Sequence, residues 1–174
     1  EAVANLLFDE MMDFANYAFN KSHAACYAYV SFQTAWLKHY YPKEFMAALM
    51  TSVIDNSSKI AEYILVCRQM GIPILPPDVN DGKAVFSVSG EGIRFGLSAI
   101  RAVGTAVSEE IVRERETGGA FRSLEDFIER LSNKEANRRT LESFVKAGAL
   151  DSMPGNRRQK LLLIPELLDK KAKQ

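Results

Sequence analysis

The sequence predicts a mainly α-helical protein in which a small β-hairpin connects two helical lobes. Three observations predict this fold class. Apolar residues recur at helical spacing over residues 2–70. Prolines and two short strand-like runs replace that spacing over residues 72–98. Helical spacing then returns from residue 99, punctuated by glycine turns, and a hydrophobic content of 47% is sufficient for a packed core.

The first predicted helix covers residues 2–18, where apolar residues recur every three or four positions. The carboxylates of Asp9, Glu10 and Asp13 lie off this apolar stripe. Acidic residues on the outer face of a helix are usually solvated, so we interpret them as its polar side rather than as a metal site.

The second predicted helix begins at Ser22, after a break at Asn20, with Lys21 and His23 on either side of the cap. Unsatisfied N–H groups and the positive end of the helix dipole favour an anion at such a position. Lys21, Ser22 and His23 are therefore candidate phosphate-binding residues. The alternative is that Ser22 only caps the helix while Lys21 is solvated and His23 is packed.

This second helix, up to Tyr41, is rich in aromatic residues, which predicts burial on several sides. Pro42 cannot continue it but suits the first turn of the next helix, predicted to end at Ile54. Asn56 and the two serines after it offer caps for a further helix, which Gly71 ends.

Residues 72–77 are predicted to be extended, because each proline moves the preceding residue out of the helical region. The runs 84–88 and 93–97 read as two short strands, and the turn 89–92 between them contains two glycines. We therefore predict a β-hairpin at the boundary between the two lobes.

Residues 99–112 predict two short helical pieces around a turn at Val103 and Gly104, a pattern that resembles a helix-hairpin-helix motif. In that motif, backbone N–H groups at a helix start hold a phosphate without reading a base. The candidate DNA-binding residues of this turn are Arg101, Val103, Gly104 and Thr105. Ala102 stands where the motif usually has its first glycine, and a plain helical corner is the alternative.

Three more helices are predicted after this motif. Ser123 opens the first through a capping box with Asp126, the second runs from Asn133 to Lys146, and the third is a basic, leucine-rich segment that Pro165 interrupts. Basic residues near a second turn are typical of a tandem hairpin module that contacts both strands of a duplex. We therefore add Arg138, Arg139 and Lys146 to the candidate DNA-binding residues.

Charge is distributed unevenly, although the net charge is zero. Residues 1–100 carry 7 Lys and Arg against 10 Asp and Glu, whereas residues 101–174 carry 15 against 12. The excess concentrates in residues 130–160, with 8 basic against 3 acidic residues. Such a segment is typical of a polyanion-binding surface, and a solvated helical face is the alternative.

Several classes of protein are excluded. No apolar stretch approaches the roughly 20 residues needed to span a bilayer, and no leader is visible, so we expect a soluble, cytoplasmic protein without a membrane partner. Cys26 and Cys67 are isolated, which predicts buried thiols rather than a metal or disulfide site. The chain starts at Glu1 in the middle of a helical pattern, which indicates a fragment of a longer protein.

Five ordered blocks resemble the replicative C-family DNA polymerases of bacteria, and the resemblance covers essentially the whole chain. The blocks are FANYAFNKSHA at 14–24, QTAWLK at 33–38, YPKEFMAAL at 41–49, GIPILPPDVN at 71–80 and FVKAGALD at 144–151. The resemblance implies a helical fingers portion over residues 1–80, a β-hairpin connector over 81–98 and a tandem helix-hairpin-helix DNA-binding portion over 99–174.

In that family the fingers face the incoming deoxynucleoside triphosphate. The resemblance implies that Lys21, Ser22 and His23 lie near the triphosphate, with Tyr17 near the nascent base pair. Lys21 would neutralise phosphate charge, and His23 would donate to a phosphate oxygen or to the departing pyrophosphate.

The resemblance implies a bacterial, cytoplasmic parent protein that adds deoxynucleotides to the primer end of duplex primer-template DNA. Its cofactor would be Mg²⁺, and its partners would include the sliding clamp and other replisome subunits. The family's catalytic carboxylates lie upstream of these blocks, so we expect no catalytic residue, no metal site and no polymerase activity in this chain. We expect weak, salt-sensitive binding of duplex DNA. A free-standing, non-enzymatic helix-hairpin-helix DNA-binding module and a helical interaction scaffold are the alternatives.

Overall fold

A computed structural model of the chain describes residues 2–17, 21–132 and 137–173, which form two compact units divided between Pro42 and Lys43. Both units are mainly helical, which confirms the predicted fold class. The first unit contains helices α1 (Ala2–Tyr17) and α2 (Lys21–Tyr40). The second contains α3 (Pro42–Ser52), α4 (Ser57–Gln69), β1 (Ile74–Leu75), β2 (Ser87–Ser89), β3 (Gly92–Arg94), a 3₁₀ helix (Leu97–Ala99), α5 (Thr105–Gly118), α6 (Leu124–Arg130), α7 (Arg138–Ala147) and α8 (Arg157–Ala172).

Helix α2 differs from the prediction in two respects. It begins at Lys21, so Ser22 is its second helical residue and not its cap, and the residue that precedes the helix lies outside the described part of the chain. The expected burial of its aromatic rings is wrong, because no residue of α2 is buried. Trp36 contacts Tyr40 at 4.9 Å between ring centroids, yet both rings stay largely exposed.

Helices α3 and α4 start as the sequence predicts. Pro42 opens α3, and the Asn56 side chain accepts a hydrogen bond of 3.1 Å from the Lys59 N–H at the start of α4. These helices and the sheet enclose the first hydrophobic cluster, which consists of Met46, Ala47, Met50, Ile60, Cys67, Ile72, Phe86 and Ile93.

The sheet has the strand order β1-β3-β2. Strands β2 and β3 form the predicted hairpin, and the extended proline run adds β1 in parallel to β3, with Ile74 opposite Ile93. The second strand is shorter than predicted because the chain turns into the 3₁₀ helix after Gly96. A Cβ on Gly96 would lie 2.7 Å from the Val85 carbonyl carbon, so this close approach of two backbone segments requires glycine.

Helices α5 to α8 enclose the second and larger hydrophobic cluster, which the 3₁₀ helix and Val79 complete. Phe127 and Phe144 lie at its centre with their rings in a T-shaped contact at 5.9 Å, and both are fully buried. Every residue of both clusters lies at or after Met46.

Two helix boundaries correct the sequence prediction. Helix α7 begins at Arg138, capped by the Asn137 side chain on the Thr140 N–H, and the predicted start at Asn133 lies outside the described residues. Helix α8 continues through Pro165. This residue lacks the backbone N–H that would donate within the helix, but the helix does not end there. Its N-terminus is fixed by a capping box between Asn156 and Gln159.

The structure tests the prediction that both cysteines are buried. Cys67 is buried, and burial raises the pKa of its thiol, whereas Cys26 is exposed, contrary to the prediction. Among the described residues, no helix has the length and apolar character that a membrane crossing requires.

Candidate nucleic-acid interface

The predicted hairpin turn joins the 3₁₀ helix to α5. Ile100 and Val103 are buried beneath it, and the Val103 N–H donates to the Ile100 carbonyl at 3.0 Å. Ala102 has a φ of +65°, the left-handed conformation that L-residues rarely adopt. The turn therefore keeps the backbone shape of a glycine turn with an alanine at that position.

Gly104 precedes the first turn of α5 and is exposed. Its φ of −86° is open to any residue, and a Cβ there would meet no atom within 4 Å. Neither backbone conformation nor packing requires glycine here, so its effect is to leave the N–H groups at the start of α5 accessible. Ser108, fully buried one turn later, donates to the Gly104 carbonyl at 3.0 Å and fixes the turn.

A cleft of about 740 Å³ lies beside this turn, between the turn and α7. Arg101 comes from the turn, and Arg139 and Lys146 come from one face of α7. The structure thus brings together three candidate DNA-binding residues from distant parts of the sequence. The other lining residues are Pro77, Phe95, Ala99, Ile100, Ala102, Glu142, Ser143 and Ala147.

The cations of α7 differ in their partners. Arg138 Nε and Lys146 Nζ both donate to the Glu142 carboxylate, at 2.8 Å and 2.9 Å. The hydrogen bonds from Arg138 and then Lys146 lower the pKa of Glu142 below its ordinary value. Arg101 and Arg139 are exposed and form no ion pair within the described part of the chain. Val103 is buried, whereas Thr105 is exposed at the start of α5.

Part of the predicted basic surface is directed into the protein. Arg130 donates to the carbonyls of Glu114 and Gly119, and its guanidinium lies 4.2 Å from the centroid of the Phe121 ring. Lys160 is 2% exposed and donates to two backbone carbonyls. Counting charges along residues 130–160 therefore overstates the number of cations available to a polyanion.

The loop of residues 76–83 attaches the sheet to the helices that carry the cleft. Val79 is fully buried, and its N–H donates to the Ala149 carbonyl at 3.0 Å. Arg115 donates to the carbonyls of Val79 and Gly82 at 3.0 Å and 2.6 Å. These bonds hold Pro77, which lines the cleft, against the helical part of the same unit.

The candidate triphosphate residues lie in the first unit. Lys21, Ser22 and His23 occupy the first turn of α2, all exposed, and that turn contains no acidic residue. The His23 ring lies 4.4 Å from the Tyr27 ring between centroids. The side chain of Tyr17 lies outside the described part of the structure.

Sequence reasoning missed two groups of residues at the cleft. One of them, Glu142, could have been found from the sequence, because it lies four residues after Arg138 and four before Lys146. This spacing places all three residues on one face of the helix. Pro77 and Phe95 carry no local signal, because tertiary packing alone brings them to the cleft floor.

The 3₁₀ helix and α5 joined by a tight turn, an exposed glycine at the start of α5 and a cleft with three cations beside that turn define a helix-hairpin-helix protein. Residues 71–160 match the family described as helix-hairpin-helix motif, and the chain belongs to this family.

Relatives of known function identify a narrower group. The chain is 53% identical over 168 residues to DNA polymerase III subunit alpha of Thermus aquaticus. It is 48% identical over 169 residues to that of Deinococcus radiodurans and 42% identical over 168 residues to that of Chlamydia muridarum. Each match covers 97% of this chain but only 13–14% of the relative, so the chain spans about one seventh of their length. The resemblance to bacterial replicative polymerases is confirmed.

Proposed function

We propose that this chain is a segment of a bacterial replicative DNA polymerase and that it holds duplex primer-template DNA by its phosphates. One observation carries the proposal: Arg101 of the hairpin turn and Arg139 and Lys146 of α7 line one cleft beside the accessible start of α5. Arginine, lysine and helix N-termini are the usual phosphate partners, and they position a duplex without reading its bases. The similarity to DNA polymerase III alpha subunits supports the same conclusion.

The proposed binding mode combines fixed and mobile donors. The N–H groups of Gly104 and Thr105 lie at the N-terminus of α5 and would hold one phosphate. Arg101 offers a planar fork for two phosphate oxygens, whereas Lys146 contributes a point charge. Three to four such contacts would give a slope of about −3 in a plot of log K against log salt, because each phosphate contact contributes roughly −0.9.

Fluorescence anisotropy with a labelled primer-template duplex tests this proposal. We expect binding at low salt that weakens steeply as salt rises, and a further loss in Arg101→Ala. Arg68→Ala removes an equal charge from the exposed face of α4, away from the cleft, and should bind as the wild type does. Absence of salt-sensitive binding, or equal losses in the two variants, would contradict the proposed interface.

We further propose that Lys21, Ser22 and His23, with Tyr17, contact the incoming triphosphate in the whole polymerase. Their shared position in the first turn of α2 supports this role, because that turn combines a cation, a hydroxyl and an imidazole with the positive end of a helix dipole. In the full-length protein, Lys21→Ala should lower kcat/KM for nucleotide incorporation at unchanged DNA affinity. Lys38→Ala, in the last turn of α2, is the control.

The chemistry of polymerisation is assigned to parts of the parent protein outside this chain. Polymerases of this type use Mg²⁺, and among the described residues no group of three His, Cys, Asp or Glu side chains could hold a metal ion. We propose that the isolated chain does not polymerise, because the catalytic carboxylates of the family that it resembles lie upstream of the matching blocks. The parent would act in the bacterial cytoplasm with the sliding clamp and other replisome subunits.

The second candidate is a free-standing helix-hairpin-helix DNA-binding module without enzymatic activity. The observation that favours it is that both hydrophobic clusters lie at or after Met46, so the DNA-binding unit has its own core. The Lys21→Ala comparison discriminates between the two, because a passive first unit has no role in nucleotide incorporation.

A further inference from the structure

We propose that Glu142 competes with DNA phosphates for Lys146 of the cleft and for Arg138 beside it, and so lowers the affinity of this chain for duplex DNA. The inference rests on the proposed function, because it concerns the same cleft. It adds a residue that tunes binding and that carries the opposite charge to the expected phosphate partners.

The geometry places Glu142 between the cations. Its two carboxylate oxygens accept separately, one from Arg138 Nε and the other from Lys146 Nζ. Arg138 lies one helical turn before Glu142 and Lys146 one turn after it, so a single carboxylate engages both. Among the described residues that line the cleft, Glu142 is the only acidic one.

A carboxylate and a phosphate use the same donors. Both are oxyanions that accept charge-assisted hydrogen bonds from guanidinium and ammonium groups. A phosphate that binds Lys146 must therefore displace the Glu142 carboxylate from it or lie beside that carboxylate. Either event reduces the free energy gained on binding.

The exchange is possible because the two ion pairs are exposed. The side chains of Arg138 and Lys146 are 67% and 63% exposed, and ion pairs in such positions are weak and screened by salt. The Glu142 side chain, 26% exposed, lies deeper, so the carboxylate stays in the cleft while the cations are free to turn outward.

Other acid-base pairs of this unit do not have this arrangement. Asp151 pairs with Arg157, and Glu125 pairs with Lys170, but none of these residues lines the cleft. Glu116 lies in the last turn of α5, is exposed, and does not line the cleft. It therefore provides a control with an identical change in net charge.

The test compares Glu142→Gln with Glu116→Gln in the whole chain, by anisotropy with the labelled duplex over a series of salt concentrations. We expect Glu142→Gln to bind about threefold to tenfold more tightly at low salt and to steepen the salt dependence by about one ion, as released cations reach phosphates. Glu116→Gln should change affinity less than about twofold, since its charge is remote and screened. Far-UV circular dichroism checks that both variants stay folded.

A combined variant shows whether Glu142 acts through its partners. Glu142→Gln in an Arg138→Ala, Lys146→Ala background should gain less than Glu142→Gln alone, because the cations that the substitution releases are absent. An equal gain in both backgrounds would overturn the exchange between carboxylate and phosphate.

The remaining outcomes separate this inference from the proposed function. If the wild-type chain binds DNA and Glu142→Gln binds equally or more weakly, the carboxylate orients the cations and the inference alone fails. If neither the wild type nor Glu142→Gln shows salt-sensitive binding, the proposed function and the inference fail together.

Discussion

The Asn80 side chain forms two hydrogen bonds with the backbone of Phe121, donating to its carbonyl at 2.9 Å and accepting from its N–H at 2.8 Å. The Asn80 amide thus pairs with the backbone of Phe121 as a neighbouring β-strand would, and Phe121 is only 2% exposed. Asp78 supports the same loop, because its carboxylate accepts from the Asn80 N–H and from the Ser152 hydroxyl. The loop thereby joins the sheet to two separate parts of the helical region.

We predict that Asn80→Ala lowers the free energy of unfolding by about 2–4 kcal/mol, since the N–H and the carbonyl of buried Phe121 both lose the hydrogen bond to Asn80. Urea unfolding measures the loss. Gln69→Ala, at an exposed position on α4, should stay within about 0.5 kcal/mol of the wild type. A small effect of Asn80→Ala would mean that water replaces the amide at Phe121.

A second prediction concerns acid stability at the turn after α7. Arg157 Nε donates to the Asp151 carboxylate at 3.0 Å, and this hydrogen bond lowers the pKa of Asp151 below its ordinary value. A carboxyl whose pKa is depressed by folding contributes stability that is complete above its unfolded pKa and lost as pH falls through the folded pKa.

Asp151→Asn should therefore have a lower free energy of unfolding than the wild type at pH 7. This difference should disappear once the pH falls below the folded pKa of Asp151. Urea unfolding of both proteins at pH 7 and at the lowest pH at which both remain folded measures the difference. Asp169→Asn, at an exposed position of α8, is the control with the same chemical change. A deficit of equal size at both pH values would show that the pair contributes through packing alone.

Sequence reasoning succeeded where the signal is local. The caps at Asn56 and Ser123, the glycine end of α7 and the hairpin turn at Val103 and Gly104 are all set by backbone groups within a few residues. The interior position of Pro165 was missed because packing of α8 against α6 and α7 overrides the local preference.

The cations of the candidate site could be proposed from the sequence, but their assembly into one cleft could not. In the sequence, Arg139 and Lys146 look equivalent to Arg130 and Lys160. In the structure, however, Arg130 and Lys160 donate to backbone carbonyls of the protein itself. Only the tertiary structure shows which cations remain at the surface. The exposure of α2 was missed for a related reason. A high number of aromatic residues favours burial, but it does not show which other helix or strand would pack against them.

A third prediction tests the strain at the hairpin turn. Ala102 has a φ of +65°, where a Cβ costs about 1 kcal/mol and glycine costs nothing sterically. Ala102→Gly should raise the free energy of unfolding by about 0.5–1 kcal/mol, measured by urea or thermal unfolding. Ala48→Gly, at an exposed position inside α3, should lower it by about 1 kcal/mol. Destabilisation of both variants alike would show that the turn imposes no strain.

The final prediction separates the binding role of a glycine from its folding role. Gly104 and Gly96 both precede a helix, with φ values of −86° and −67° that any residue adopts. They differ in their surroundings, because a Cβ on Gly104 meets open space whereas a Cβ on Gly96 would lie 2.7 Å from the Val85 backbone. Gly104→Val should therefore lower the thermal midpoint only slightly, because valine is a poorer N-cap than glycine, while Gly96→Ala should lower it more, since the backbone at Val85 must move.

The affinity for duplex DNA should show the opposite difference between these two variants. A phosphate held by the N–H groups at the start of α5 must approach the Gly104 backbone closely, so Gly104→Val should weaken duplex binding at low salt roughly tenfold. Gly96→Ala, measured below its unfolding transition, should retain wild-type affinity because its Cα faces the protein interior. Wild-type affinity in Gly104→Val would show that the hairpin turn is structural and that the cations of the cleft bind DNA without it.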